Sequence, residues 1–276
     1  MSATTIEPSE YLRRLGETGD GPYDIARAAL MLAALDHAGR SLAPYEAHLD
    51  ELAEASRRNL GMIHRAEEAA KILGALMAGR YGYAGDRAAY DDPKNADLMA
   101  VIERRRGLPV ALGILYIHAA RAGGLEASGV NAPGHFLLRI ATKGADVLID
   151  AFNGGAVVDR ERLGGLPGMA SGAPGEPSFG EPVSDCAVLV RLQNNVKLRA
   201  IEAGERARGL EIAKRMVLIA PRRPDLWMDL ARLHETAGSL GAAKKAYEAC
   251  LALAKSGANL HNEAALALAG LKRRLN

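Results

Sequence analysis

Residues 90–139 read YDDPKNADLMAVIERRRGLPVALGILYIHAARAGGLEASGVNAPGHFLLR, and residues 148–155 read LIDAFNGG. Pro109 suits the first turn of a helix, where its missing N–H costs nothing. The run VALGILYIHAAR at 110–121 is apolar all round, the mark of a buried helix, and Gly123-Gly124 stops it. Beyond Leu125 the pattern shortens. Segments near 126–130, 135–141 and 146–151 read as strands joined by Gly- and Pro-containing turns. A small antiparallel sheet packed on the 110–121 helix is the expected core. One strand opens with His135 after a Pro-Gly turn, and the next ends in Asp150.

Upstream, residues 1–21 are polar and rich in turn formers, with Tyr11, Leu12 and Leu15 able to make a short docking helix. DIARAALMLAALDHA places Ile25, Ala29, Leu32 and Leu35 on one helical face. Pro44 opens a second helix with Leu42, Tyr45, Leu49 and Leu52 on its apolar side. A third is expected from about His64 to Met77. Gly79, Gly82 and Gly85 begin a loop that runs through Asp91-Asp92-Pro93. Asn95 or Asp97 then starts a short helix ending near Arg106, broken by Gly107.

Downstream, residues 164–187 form a Gly/Pro-rich loop or linker. Helices follow at about 188–203, 205–219, 225–237 and 240–254. Trp227, Leu230, Ala231, Ala243, Tyr247 and Cys250 fall at the spacing of a tetratricopeptide-like helical pair, and Gln193, Gly209 and Met216 mark a weaker unit before it. The expected organisation is a core with N-terminal helices over 1–163, the linker over 164–187 and helical repeats over 188–276.

The chain of 276 residues is 49% apolar but only 4% aromatic, so Ala, Leu and Val must fill the core. A net charge of +2 with interspersed signs argues against a nucleic-acid surface. Cys186 and Cys250 make neither a disulfide framework nor a metal-ligand set. Without a signal-peptide pattern or an apolar run of about 20 residues, a cytoplasmic protein with no membrane span is expected.

The stretch from Tyr23 to Gly155 resembles the SirB1 family, whose core belongs to the transglutaminase-like superfamily. The motifs carrying the resemblance are YDDPKN, ERRRGLP and PGHF, and the helical tail from Leu189 fits as well. The resemblance implies an α+β, mostly helical fold: a transglutaminase-like, papain-type core, an N-terminal helical region and a C-terminal tetratricopeptide-like region. Active members of the superfamily carry a Cys at the start of the central helix, with a His and an Asp on the following strands. His135 and Asp150 match the last two. Pro109 stands where the Cys belongs, with Val110 and Ala111 beyond it.

Asp150 beside His135 would orient the imidazole and favour its protonated form. Without a thiol the pair is expected to serve binding or structure, or to act as a general base on water. Cys186 follows the Gly/Pro-rich run of 164–182 and is the alternative thiol, with a buried small hydrophobe as the plainer reading. Cys250 reads as repeat packing. His118 lies about 13 to 14 Å of helical rise from Pro109, so it reads as a satisfied core or boundary residue. Asp91, Asp92, Asn95 and Glu103 lack calcium-loop spacing and read as a turn held by Asx-type hydrogen bonds. Of Arg104, Arg105 and Arg106, which cannot share one helical face, one is expected to pair internally with Asp91 or Asp92. Another is open to an anionic ligand.

The leading expectation is a non-catalytic scaffold or regulatory binding protein with a protein or peptide partner and no cofactor or metal. The alternative is a hydrolase or peptidase-like enzyme using His135 and Asp150 with water or Cys186.

Overall fold

The computed structural model describes residues 6–132, 135–159 and 181–275, so most of the expected linker lies outside the described residues. Contacts divide the chain into two compact units. The larger, Asp20–Leu189, is the α+β core. The other comprises the C-terminal helices from Val190 onward and the segment before Asp20.

The core is organised around α6 (Pro109–Ala122), buried from Val110 to Ile117 with no polar face over that span. Around it lie α2 (Ile25–Ala34), α3 (Ala43–Leu60) and α5 (Leu98–Arg104), with α4 (Ala66–Gly74) packed on α3, α6 and the sheet. Nine of the ten α2 residues are buried, so α2 is a second interior helix. The expected third helix stops sooner than Met77. α4 ends at Gly74, and residues Ala75–Arg80 continue as a π-helical turn, with Tyr81 N–H bonded to the Leu76 carbonyl. That wider turn carries the chain inward to Tyr83, which is fully buried.

Two short strands, β1 (Ala84–Gly85) and β2 (Arg106–Gly107), pair in parallel beside the N-terminus of α6. The main sheet comprises β3 (Glu126–Ala132), β4 (His135–Thr142), β5 (Ala145–Asp150), β6 (Ala156–Val158) and β7 (Pro182–Val183). It is antiparallel in the order β6-β5-β4-β3-β7. β6 and β7 go beyond the sequence reading. β6 is only three residues long, and β7 lies in the stretch read as linker.

Alternation assigns the faces. Gly113 of α6 sits against the Phe136 ring, where an added Cβ would lie 2.5 Å from it and 3.3 Å from Leu138. Phe136 and Leu138 therefore face α6. Leu137 lies in the opposite row and clusters with Val130, Ala132, Leu148 and Val158.

Of α7 (Asp185–Glu202), the residues from Val190 belong to the other unit. α8 (Arg206–Ile219), α9 (Pro224–Thr236), α10 (Leu240–Leu253) and α11 (Asn259–Leu275) follow. Leu230, Ala231, Ala243, Tyr247 and Cys250 are all buried, as repeat spacing requires, and so are Gln193, Gly209 and Met216 of the weaker unit. Trp227 is half-buried and donates its indole N–H to the Pro221 carbonyl at 2.8 Å. α11 was absent from the sequence reading. The expected docking helix is real as α1 (Pro8–Thr18), but it joins the C-terminal helices. Gly16 lies so close to α8 that a Cβ there would sit 2.2 Å from the Leu218 carbonyl oxygen.

Candidate functional site

The α6 N-terminus offers no nucleophile. Leu108 occupies the N-cap, and the first turn is Pro109, Val110, Ala111 and Leu112. None carries a thiol or hydroxyl. Leu108 N–H donates to the Asn95 carbonyl at 2.8 Å, fixing the entry to the helix.

His135 opens β4 and is exposed. It pairs with Ala132 and shares the strand face of Leu137, opposite the row that meets α6. β4 and β5 pair with Leu138 opposite Ile149. Continuing that register sets Asp150 opposite Leu137, one diagonal step from His135 on the same face. The Asp150 carboxylate is engaged in the turn that follows. Oδ1 accepts the N–H groups of Phe152 at 2.9 Å and Asn153 at 3.2 Å, and Oδ2 accepts the Asn153 side-chain amide at 2.6 Å. This is the side-chain capping expected of an Asp opening a short helical turn. Gly154 and Gly155 close it with positive φ.

Cys186 lies in the first turn of α7, buried at 5% exposure. Val188, on the same helix, approaches Gly129 and the Phe136 ring, which belong to the α6 side of the sheet. Cys250 is fully buried, and burial pushes its thiol pKa up. His118 interacts with the Leu49 carbonyl at 3.0 Å through Nε2 and with Asp24 at 3.7 Å through Nδ1. Burial opposes its protonation, but Asp24 and Leu49 outweigh burial and raise its pKa.

The three arginines diverge because only Arg104 is helical: Arg105 takes the left-handed cap and Arg106 opens β2. Arg104 turns inward, yet its main partner is Asp86 at 2.7 Å, a residue the sequence reading passed over. Asp92 is more distant at 3.5 Å, and Asn95 Oδ1 accepts at 3.2 Å. Asp86 also accepts the Ala89 N–H, which with Arg104 and against burial lowers its pKa. Asn95, fully buried, donates to the Ala89 carbonyl at 2.6 Å, so the YDDPKN loop is architectural. Arg106 is exposed and donates to the Gly82 carbonyl at 3.0 Å.

Arg105 is different. It caps α5 in the left-handed conformation, φ 55° and ψ 27°, a position that Gly normally takes. Its guanidinium lies 4.8 Å from the Tyr83 ring centroid and donates through one terminal nitrogen to Tyr83 Oη and to His48 Nε2, the latter at 2.6 Å. His48 Nε2 also lies 2.8 Å from Tyr83 Oη. With donors converging on Nε2, the ring proton belongs on Nδ1, which lies 3.6 Å from Glu51. Burial and then Arg105 lower the His48 pKa, while burial pushes the Tyr83 phenol up to about 12. Both groups are therefore neutral near pH 7.

This cluster borders a cavity of about 700 Å³ whose lining includes Arg40, Tyr45, His48, Glu51, Glu103 and Arg105. Arg40 and the Tyr45 hydroxyl both donate to Glu103, the latter at 2.5 Å. Sequence reasoning missed His48, although it falls in the stripe formed by Tyr45, Leu49 and Leu52. Among the described residues no group of three His, Cys, Asp or Glu is arranged to hold a metal ion.

Residues 43–194 match the profile of the transglutaminase-like superfamily, and residues 196–269 match a tetratricopeptide repeat profile. A UPF0162 protein of Xylella fastidiosa (strain Temecula1) is 32% identical over 155 residues, 54% of this chain and 55% of the relative. A UPF0162 protein of Pseudomonas aeruginosa is 31% identical over 178 residues, 63% and 60% of the respective lengths. The chain thus spans little more than half the length of these curated relatives. F-box only protein 21 of Mus musculus is 32% identical over 95 residues, 33% of this chain and 15% of that one. With more than half of its length matched and a helical repeat region behind the core, the chain belongs to the transglutaminase-like superfamily.

Proposed function

We propose that this chain is a SirB1-family protein whose transglutaminase-like core does no thiol chemistry. Together with the tetratricopeptide-like helices it serves as a scaffold or regulatory module for a protein or peptide partner. The observation that carries this reading is the first turn of α6, Pro109 to Leu112, which lacks any side chain able to attack a carbonyl. The capping role of Asp150 and the deep burial of both thiols support it. The cysteines are unbridged, which fits a reducing compartment such as the cytoplasm.

Native-state alkylation tests the reading at the thiols. Iodoacetamide at neutral pH is expected to modify Cys186 and Cys250 only as fast as the protein opens, with the same rates in His135→Ala. Fast, selective labelling of Cys186 that slows in His135→Ala would instead establish an activated thiol and sink the proposal.

A further inference from the structure

The charges around the α3–α5 cavity are unevenly paired. Glu103 is paired with Arg40 and Tyr45. Glu51 accepts from the Tyr81 hydroxyl at 3.1 Å and faces His48 Nδ1. Arg105 has no carboxylate within ion-pair distance among the described residues, and only one of its three guanidinium nitrogens is engaged. Its Nε–H and second terminal NH₂ form an edge with parallel donors, the geometry that takes both oxygens of a carboxylate.

The arm is also held still. Tyr83 stacks beneath it, a neutral His48 accepts from it, and its own backbone is fixed by the Ala84 N–H at 3.1 Å and the Val101 carbonyl at 2.9 Å. Presenting a half-buried cation without a counter-ion costs free energy that a bound anion returns. Glu51 and Glu103 at the same cavity set its charge limit, since a dianion would meet two carboxylates where a monoanion gains the guanidinium and meets less repulsion.

We propose that this cavity is a binding site for a monocarboxylate, gripped by Arg105, which His48 and Tyr83 hold in position. Neither His135 nor Asp150 lines this cavity, so the site holds whether or not the core does chemistry there. The carboxylate belongs either to a small molecule or to the free C-terminus of a peptide.

Calorimetric titration of the full chain with four probes tests this: benzoate, an N-acetylated tripeptide, its C-terminal amide and inorganic phosphate. Benzoate or the free-acid peptide is expected to bind, the amide and phosphate about tenfold or more weakly. Tighter binding of the peptide than of benzoate identifies a chain terminus as the source, and the reverse order a small molecule. Arg105→Gln is expected to weaken binding about ten- to a hundredfold. Ala47→Glu, on the exposed cavity wall, adds a repelling carboxylate without touching the core and is expected to do the same.

A second readout separates ligand contact from mere structural support. His48 faces Arg105, Glu51, Tyr81, Tyr83 and, across from α6, the charge of His118. A carboxylate on Arg105 offsets the positive charge that helps lower the His48 pKa, so saturation should raise that pKa in an NMR titration. Absence of binding by both carboxylates, phosphate binding as tight as theirs, or unchanged affinity in folded Arg105→Gln overturns the proposal.

Discussion

Arg121→Ala destabilises the core unit by about 3–5 kcal/mol, the cost of leaving a buried carboxylate unpaired. Asp185 is buried at 3% exposure and accepts Arg121 through both oxygens, at 2.6 and 2.8 Å. The same carboxylate accepts the Tyr23 N–H at 2.8 Å, and Arg121 also donates to the Ala127 carbonyl at 2.8 Å. One ion pair thus ties the end of α6 to β3, to the start of α7 and to the segment before α2. Chemical denaturation of Arg121→Ala, Asp185→Leu and an Arg121→Met/Asp185→Leu double variant checks the account. Either single change should cost several kcal/mol, and the double variant should recover much of it by removing both charges together. Singles that cost under about 1 kcal/mol would show that the pair behaves as an exposed salt bridge.

Gly155→Ala is the second large effect, about 2–5 kcal/mol. Two terms add. Gly155 sits at φ +78°, where a Cβ costs about 1–2 kcal/mol. That Cβ would also meet the Cα of Gly74 at 2.9 Å and the Tyr116 ring at 3.0 Å, an overpacking of about 1–3 kcal/mol. Gly74 faces the Gly154 carbonyl in the same way, so backbone meets backbone where α4 crosses the turn after Asp150. Thermal unfolding of Gly155→Ala beside Gly144→Ala separates the terms. Gly144 has φ +90° with open space around it, so its variant should lose only the conformational part.

What the sequence made legible follows from periodicity. The strongly apolar run of 110–121 reads as a buried helix, and short segments bounded by Gly- and Pro-containing turns mark β4 and β5 to within a residue or two. The burial of Ala243, Tyr247 and Cys250 follows from repeat spacing in the same way. Long-range pairing left no such trace. Asp185 lies 64 residues from Arg121, and nothing local marks it as that arginine's partner. Asp86 was hidden by the richer acid cluster at Asp91-Asp92, although it is the buried carboxylate and makes the shorter of the two ion pairs of Arg104.

The short helix expected to end near Arg106 runs Leu98–Arg104, and Gly107, the obvious breaker in ERRRGLP, lies two residues beyond the turn; Arg105 takes left-handed backbone and its guanidinium lies over Tyr83. A non-Gly residue in that conformation is a local conflict, of the kind that concentrates at functional sites. His135 and Asp150 are expected as a pair only through the family resemblance. The sheet register sets them one step apart, and the capping hydrogen bonds of Asp150 were visible only in the folded turn.

If the core binds a partner and does no acyl chemistry, as proposed, it leaves a small, unselective acyl donor untouched. Wild type, His135→Ala and Asp150→Asn would be incubated with p-nitrophenyl acetate, following release of nitrophenol and the intact protein mass. The expected result is no saturable turnover, no acyl adduct and no difference among the three proteins. Saturable hydrolysis or an acyl-protein mass in wild type, lost in His135→Ala, would contradict it and make the His135–Asp150 pair a working catalytic site.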